Sequence, residues 1–140
     1  MSAPRIIVAL GGNALQSGDG PATAEAQLEV VKNTCEFIAD ISVMGYEMGV
    51  VHGNGPQVGA ILIQNELGVR QVPAMPMDVC GAESQGFIGY LFCQALANAL
   101  VEKKITETSP ICIVTRVLVD GDDPAFLNPT KPVGPFFEEG

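Results

Sequence analysis

Val51-His52-Gly53-Asn54-Gly55-Pro56-Gln57-Val58-Gly59 is the stretch whose reading decides the fold. An apolar run ends at Val51, two glycines flank an asparagine, and Pro56 opens a helical pattern. That order predicts a strand, a tight glycine turn and a helix start. Such a turn brings backbone N–H groups close to an anion, because glycine has no side chain in the way and a helix N-terminus favours negative charge. A second arrangement of the same kind lies upstream, where Ile6 to Leu10 runs into Gly11-Gly12-Asn13-Ala14. In an open parallel sheet ligands collect beyond the carboxyl ends of the strands. One glycine turn by itself reads as a strand-to-helix connection. Two with the same residue types favour one anionic site built from two strand ends.

Working outward, Ile6-Ile7-Val8-Ala9-Leu10 is a continuous apolar run, expected to be a strand buried on both faces. Ser17-Gly18-Asp19-Gly20-Pro21 is a loop by composition. From Ala22 to Met44 the pattern turns helical, with Leu28, Val31, Cys35, Ile38 and Ile41 recurring every three or four residues and Gly45 at the C-terminal position. Glu47 to Val51 is a second strand, so strand, helix and strand imply a right-handed crossover with parallel pairing. Val58, Ile61, Leu62 and Leu67 mark a helix ending at Gly68, and a longer helix is predicted from Asp78 to Lys103. Within it Cys80, Phe87, Leu91, Ala95 and Leu96 are assigned to one face, and Gly81, Gly86 and Gly89 to close packing against a neighbour. Ile111 to Val114 with Val117 to Val119 predicts a third strand.

The chain has 140 residues, 47% of them hydrophobic, enough for one ordinary core and against disorder. A net charge of −9 with only 7 Lys and Arg argues against a nucleic-acid surface. An acidic chain that binds an anion must use backbone N–H groups and a few chosen cations. No apolar run approaches the ~20 residues of a membrane span. The four cysteines form no Cys-x-x-Cys pair and read as small buried hydrophobes, with no zinc site. Absence of a disulfide-like framework and of a secretory leader pattern makes the cytoplasm the simplest compartment.

Neither a dinucleotide fingerprint nor a Walker-type loop is present. His52, the single histidine, reads as a general base or, preferably, as a residue that orients or packs beside the turn. Two readings stand open for Lys131 in Asn128-Pro129-Thr130-Lys131-Pro132-Val133-Gly134-Pro135. It is either a stiffly held ammonium for transferring phosphoryl oxygens or an exposed lysine in a proline-rich linker. Ser84 lacks a base beside it and is a poor nucleophile, while Asp120, Asp122 and Asp123 look like a solvated turn rather than a metal loop. Phe136 and Phe137 near Gly140 are expected to need further protein to cover them.

At these residues the chain resembles the carbamate kinases, a branch of the amino acid kinase family. The matching stretches are Ala9 to Ala14, His52 to Gly59, Ala74 to Gly86 with Ile88-Gly89-Tyr90, and Asp123 to Phe126 followed by Asn128 to Phe136. It departs at Glu83, where the family commonly has Met. The resemblance implies a three-layer αβα sandwich around a mainly parallel sheet. It also implies reversible phosphoryl transfer between ATP and carbamate, giving carbamoyl phosphate and ADP with Mg²⁺ on the nucleotide, and a cytoplasmic homodimer. Gly11, Gly12, Asn13, Gly53, Asn54 and Gly55 match the substrate and phosphoryl cradle, and Lys131 matches a catalytic lysine that reaches over it. Residues 1–119 then correspond to an amino-terminal substrate-binding domain and residues 120–140 to the start of a protruding subdomain. The nucleotide-binding carboxyl-terminal domain lies outside this chain, so neither nucleotide nor metal is expected to bind it alone. Two rivals remain: another amino acid kinase acting on a carboxylate, and a truncated, non-catalytic binding or dimerisation module.

Overall fold

The computed structural model describes residues 3–11, 14–16, 20–131 and 133. Two strands, β1 (Arg5–Leu10) and β2 (Glu47–His52), pair in parallel from Arg5 opposite Glu47 to Leu10 opposite His52. The crossover between them is α1 (Ala24–Val43). Thr23 starts this helix, its hydroxyl accepting from the Ala26 N–H at 3.3 Å, and Glu25 places a negative charge in the first turn. Gly45 leaves the helix at φ +88°, a left-handed conformation that a residue with a Cβ adopts only under strain, so the predicted terminator is required there.

Two further helices follow, α2 (Gly55–Gly68) and α3 (Met77–Glu102). Contacts from Cys35 to Phe92 and from Asp40 to Lys103 advance together along both helices, so α1 and α3 run in the same sense. Their shared seam is the core. Val31, Cys35 and Ile38 from α1 meet Ile88, Phe92 and Leu100 from α3, and Leu10, Met48 and Val50 of the sheet seat against them. Fully burying an Ile or Leu stabilises by about 1.5–3 kcal/mol, so this seam dominates the stability of the α/β body. The buried face of α3 runs through Cys80, Ser84, Ile88 and Phe92, while Phe87 and Leu96, assigned to that face from sequence, flank it half-buried.

Three sequence expectations are corrected. β1 is not buried on both faces: its side chains alternate, and the face carrying Ile7 and Val51 is exposed among the described residues. The cause is that the core formed by α1 and α3 lies on the side of Leu10, Met48 and Val50. The segment from Ile111 to Val119 forms no strand and stays exposed, with Leu118 99% accessible. β-branched composition favours a strand only where a neighbouring edge supplies hydrogen bonds and a face supplies packing, and the described sheet contains β1 and β2 alone. The cysteines are not uniformly buried either: Cys35 and Cys80 are, Cys93 is half-buried and Cys112 is exposed.

Gly89 does mark a close approach, since a Cβ there would clash with the Cys112 Sγ. Gly81 and Gly86 would meet nothing within 4 Å, so packing does not account for them. Asp120 and Asp123 behave as turn residues, accepting from the N–H groups of Asp122 and Ala125 and opening a short 3-10 turn at Pro124–Phe126. Phe136 and Phe137 lie outside the described residues.

Candidate functional site

Leu10 and His52 are the last residues of their strands and sit opposite one another. Gly11 and Gly53 therefore leave the sheet side by side, and the two glycine turns share one end of it. Gly12 and Asn13 lie outside the described residues. Gly11, Gly53 and Gly55 have no positive φ, and a Cβ on any of them would meet nothing within 4 Å. Neither backbone conformation nor packing within the described protein calls for glycine at these positions, unlike Gly45 and Gly89. What glycine leaves there is bare backbone facing open space.

Asn54 stands at the N-cap of α2 but does not cap it with its side chain. Its Nδ2 instead donates to Ser84 Oγ at 2.7 Å, and Ser84 Oγ donates to the Gly81 carbonyl at 2.7 Å. This chain of bonds holds the turn against α3 and fixes the direction of Asn54. Pro56 has no N–H, and the N–H groups of Gly55 and Gln57 have no partner among the described residues. The first turn of α2 is thus open to an acceptor from outside the helix.

Behind the turn, Gln57 is buried, donates from Nε2 to Gln27 Oε1 at 3.1 Å, and leaves its own Oε1 without a partner among the described residues. Gln27 in turn donates to the Ala22 carbonyl at 3.1 Å. His52 is half-buried, its ring stacked on Phe92 with centroids 6.4 Å apart and planes 3° from parallel. Its Nδ1 lies 3.0 Å from the Gly53 carbonyl. It packs beside the turn and steadies it, the preferred of the two sequence readings.

Lys131 is exposed and makes no ion pair among the described residues. The structure brings Gly11, Gly53, Asn54 and Gly55 together but ties Lys131 to none of them. Ser84 and Gln57 were not singled out from sequence as site residues. The available signal was a polar side chain at helical spacing on an apolar face, between Cys80 and Ile88 for Ser84, where burial demands a hydrogen-bond partner. Among the described residues no three His, Cys, Asp or Glu side chains converge to hold a metal ion. No helix among the described residues is long and apolar enough to cross a membrane.

The sequence profile of the amino acid kinase family matches residues 4–124. The chain belongs to the amino acid kinase family. Within that family it is 50% identical to the carbamate kinase of Pyrococcus horikoshii over 137 residues, covering 96% of this chain and 43% of that protein. The carbamate kinase of Thermococcus kodakarensis is 51% identical, with 96% and 44% covered. A solved structure of the Giardia carbamate kinase superposes with a TM-score of 0.90 at 41% identity, covering 99% of this chain and 46% of that one. The Giardia lamblia enzyme bound to AMP-PNP gives 0.88 at 43% identity, with 99% and 44% covered. The chain thus has the amino acid kinase fold and spans less than half the length of the relatives it matches.

Proposed function

We propose that this chain supplies the phosphoryl-acceptor side of a carbamate kinase-like site. The reaction passes a phosphoryl group reversibly between ATP and carbamate, giving ADP and carbamoyl phosphate. The side-by-side exit of Gly11 and Gly53 from a parallel sheet carries this reading. The backbone at Gly11, Gly12, Asn13, Gly53, Asn54 and Gly55 receives the anionic acceptor. Bare N–H groups and the α2 N-terminus stabilise its negative charge without a net positive surface, which suits a chain of net charge −9. Asn54, held by Ser84, is directed before substrate arrives, so little freedom is lost on binding. Lys131 supplies the cation over the acceptor once the segment that carries it folds inward. ATP and its Mg²⁺ are held by residues outside those described. The assembled protein is a cytoplasmic homodimer, serving the end of arginine or purine-derived catabolism.

Isothermal titration with carbamoyl phosphate tests the acceptor side directly. Gly53→Ala is expected to fold as the parent does, because its Cβ meets nothing, and to lose carbamoyl phosphate binding. Equal affinity in parent and variant would overturn the assignment of the turn. ADP-dependent ATP formation from carbamoyl phosphate tests the reaction. The 140 residues alone are expected to give no useful turnover, because transfer needs nucleotide, metal and acceptor positioned together. Preference for N-acetylglutamate over carbamoyl phosphate would instead favour a carboxylate acceptor.

A further inference from the structure

Cys93 and Cys112 line the same groove, a cavity of about 570 Å³ between β2, α3 and residues 105–113. Cys112 is seated where Gly89 leaves α3 bare: its Cβ lies 2.7 Å from the point a Gly89 Cβ would occupy. Gly89 and Cys93 are four residues apart on α3, so their Cβ positions are about 6 Å apart on one face. Adding and subtracting the 2.7 Å offset puts the Cys93 and Cys112 Cβ atoms between about 3 and 9 Å apart. A disulfide needs about 3.5–4.5 Å, which falls inside that interval. The segment carrying Cys112 is exposed and forms no strand.

We propose that Cys93 and Cys112 are a peroxide-oxidisable thiol pair whose disulfide fastens the extended segment 106–120 to α3. Cys112 is exposed and reacts first: its sulfur takes one oxygen from a hydroperoxide, which leaves as water or the corresponding alcohol, giving a sulfenic acid. The Cys93 sulfur then attacks the Cys112 sulfur. The S–O bond breaks, the S–S bond forms, and the hydroxyl departs with the Cys93 proton as water. Two thiols are oxidised by two electrons and one peroxide is reduced. Burial, and after it the Cys112 sulfur, push the Cys93 thiol up, which leaves the exposed Cys112 as the first target. Cys35 is the other sulfur near Cys93, but it is fully buried and its thiol is pushed up to about 12, chiefly by burial.

The test treats the whole chain with hydrogen peroxide, blocks free thiols, digests with trypsin without reductant, and sequences cross-linked peptides by mass spectrometry. The expected product joins Cys93 to Cys112, is reversed by dithiothreitol, and vanishes in both Cys93→Ser and Cys112→Ser. Limited trypsin cleavage at Arg116 should slow in the oxidised parent and not in oxidised Cys112→Ser. A cross-link that persists in Cys93→Ser, a bond to Cys35 or Cys80 instead, or Cys112 passing to sulfinic acid unpaired would each overturn the proposal.

Discussion

Ile6 to Leu10 and Ile111 to Val114 are nearly the same sequence chemically, and they end in opposite states. The first is β1, paired along its whole length to β2 and packed through Leu10 onto the helices. The second is exposed and unpaired, held chiefly by Gln85, whose side-chain oxygen accepts from the Thr115 N–H at 2.8 Å. The difference teaches that apolar, β-branched composition is a capacity for strand formation. It is realised when a partner edge satisfies the backbone and a helical face removes the side chains from water.

The sharpest way to break this comparison is to shorten one side chain in each region. Ile38→Ala, in the α1–α3 seam, is expected to lower unfolding free energy by about 2–5 kcal/mol, whereas Leu118→Ala should change it by less than about 0.5 kcal/mol. Urea titration reads both. A large loss from Leu118→Ala would show that the extended segment is packed in solution.

A second prediction sharpens the boundary between body and site. Ser84→Ala leaves the Asn54 Nδ2 without its buried acceptor, so ordering that side chain falls on binding, at about 0.5–1.5 kcal/mol, or up to roughly tenfold in carbamoyl phosphate affinity. Titration of that ligand against parent and variant checks it, and unchanged affinity would detach Asn54 from the site.

A third probes the burial of the seam through pH. The Cys35 thiol is raised from its ordinary 9.0 to about 12, by burial first and then by Glu36 and Cys93. Above pH 9 the unfolded chain loses this proton while the folded one keeps it, so stability should fall as pH rises from about 9 toward 12. Cys35→Ala should flatten that alkaline slope in thermal melts, and Cys112→Ala should not.

The smallest effect belongs to the surface. Lys103 sits between Asp40 and Glu36 of α1, and the hydrogen bond it donates to Asp40 is the main cause that raises its pKa above the ordinary 10.5. Its contribution is complete below pH 10.5 and lost as pH rises through the higher folded value. Because the carboxylates are exposed, Lys103→Met should shift the melting temperature only slightly, and less still at high salt.

Much of the body was legible because single residues carry unambiguous signals. Gly45, Pro56 and the spacing of Val31, Cys35 and Ile38 locate helix ends and the core face of α1 within a residue or two. The same reasoning failed at Ile111 to Val119, and at the outer face of β1, because periodicity says which side chains are apolar and not what will lie against them. At the candidate site the glycine turns were legible as types, while the bond from Asn54 to Ser84, 30 residues away, was not.

Sequence alone determined the order of elements from β1 through α3, the parallel crossover and the two glycine turns, since these follow from local sterics, capping and hydrophobic period. Only the tertiary structure decided that Leu10 and His52 end in register, that Ser84 holds Asn54, and that Cys112 rests on Gly89. Each of these depends on which distant segments meet, and that is set by the shape of the shared core rather than by any one stretch of chain.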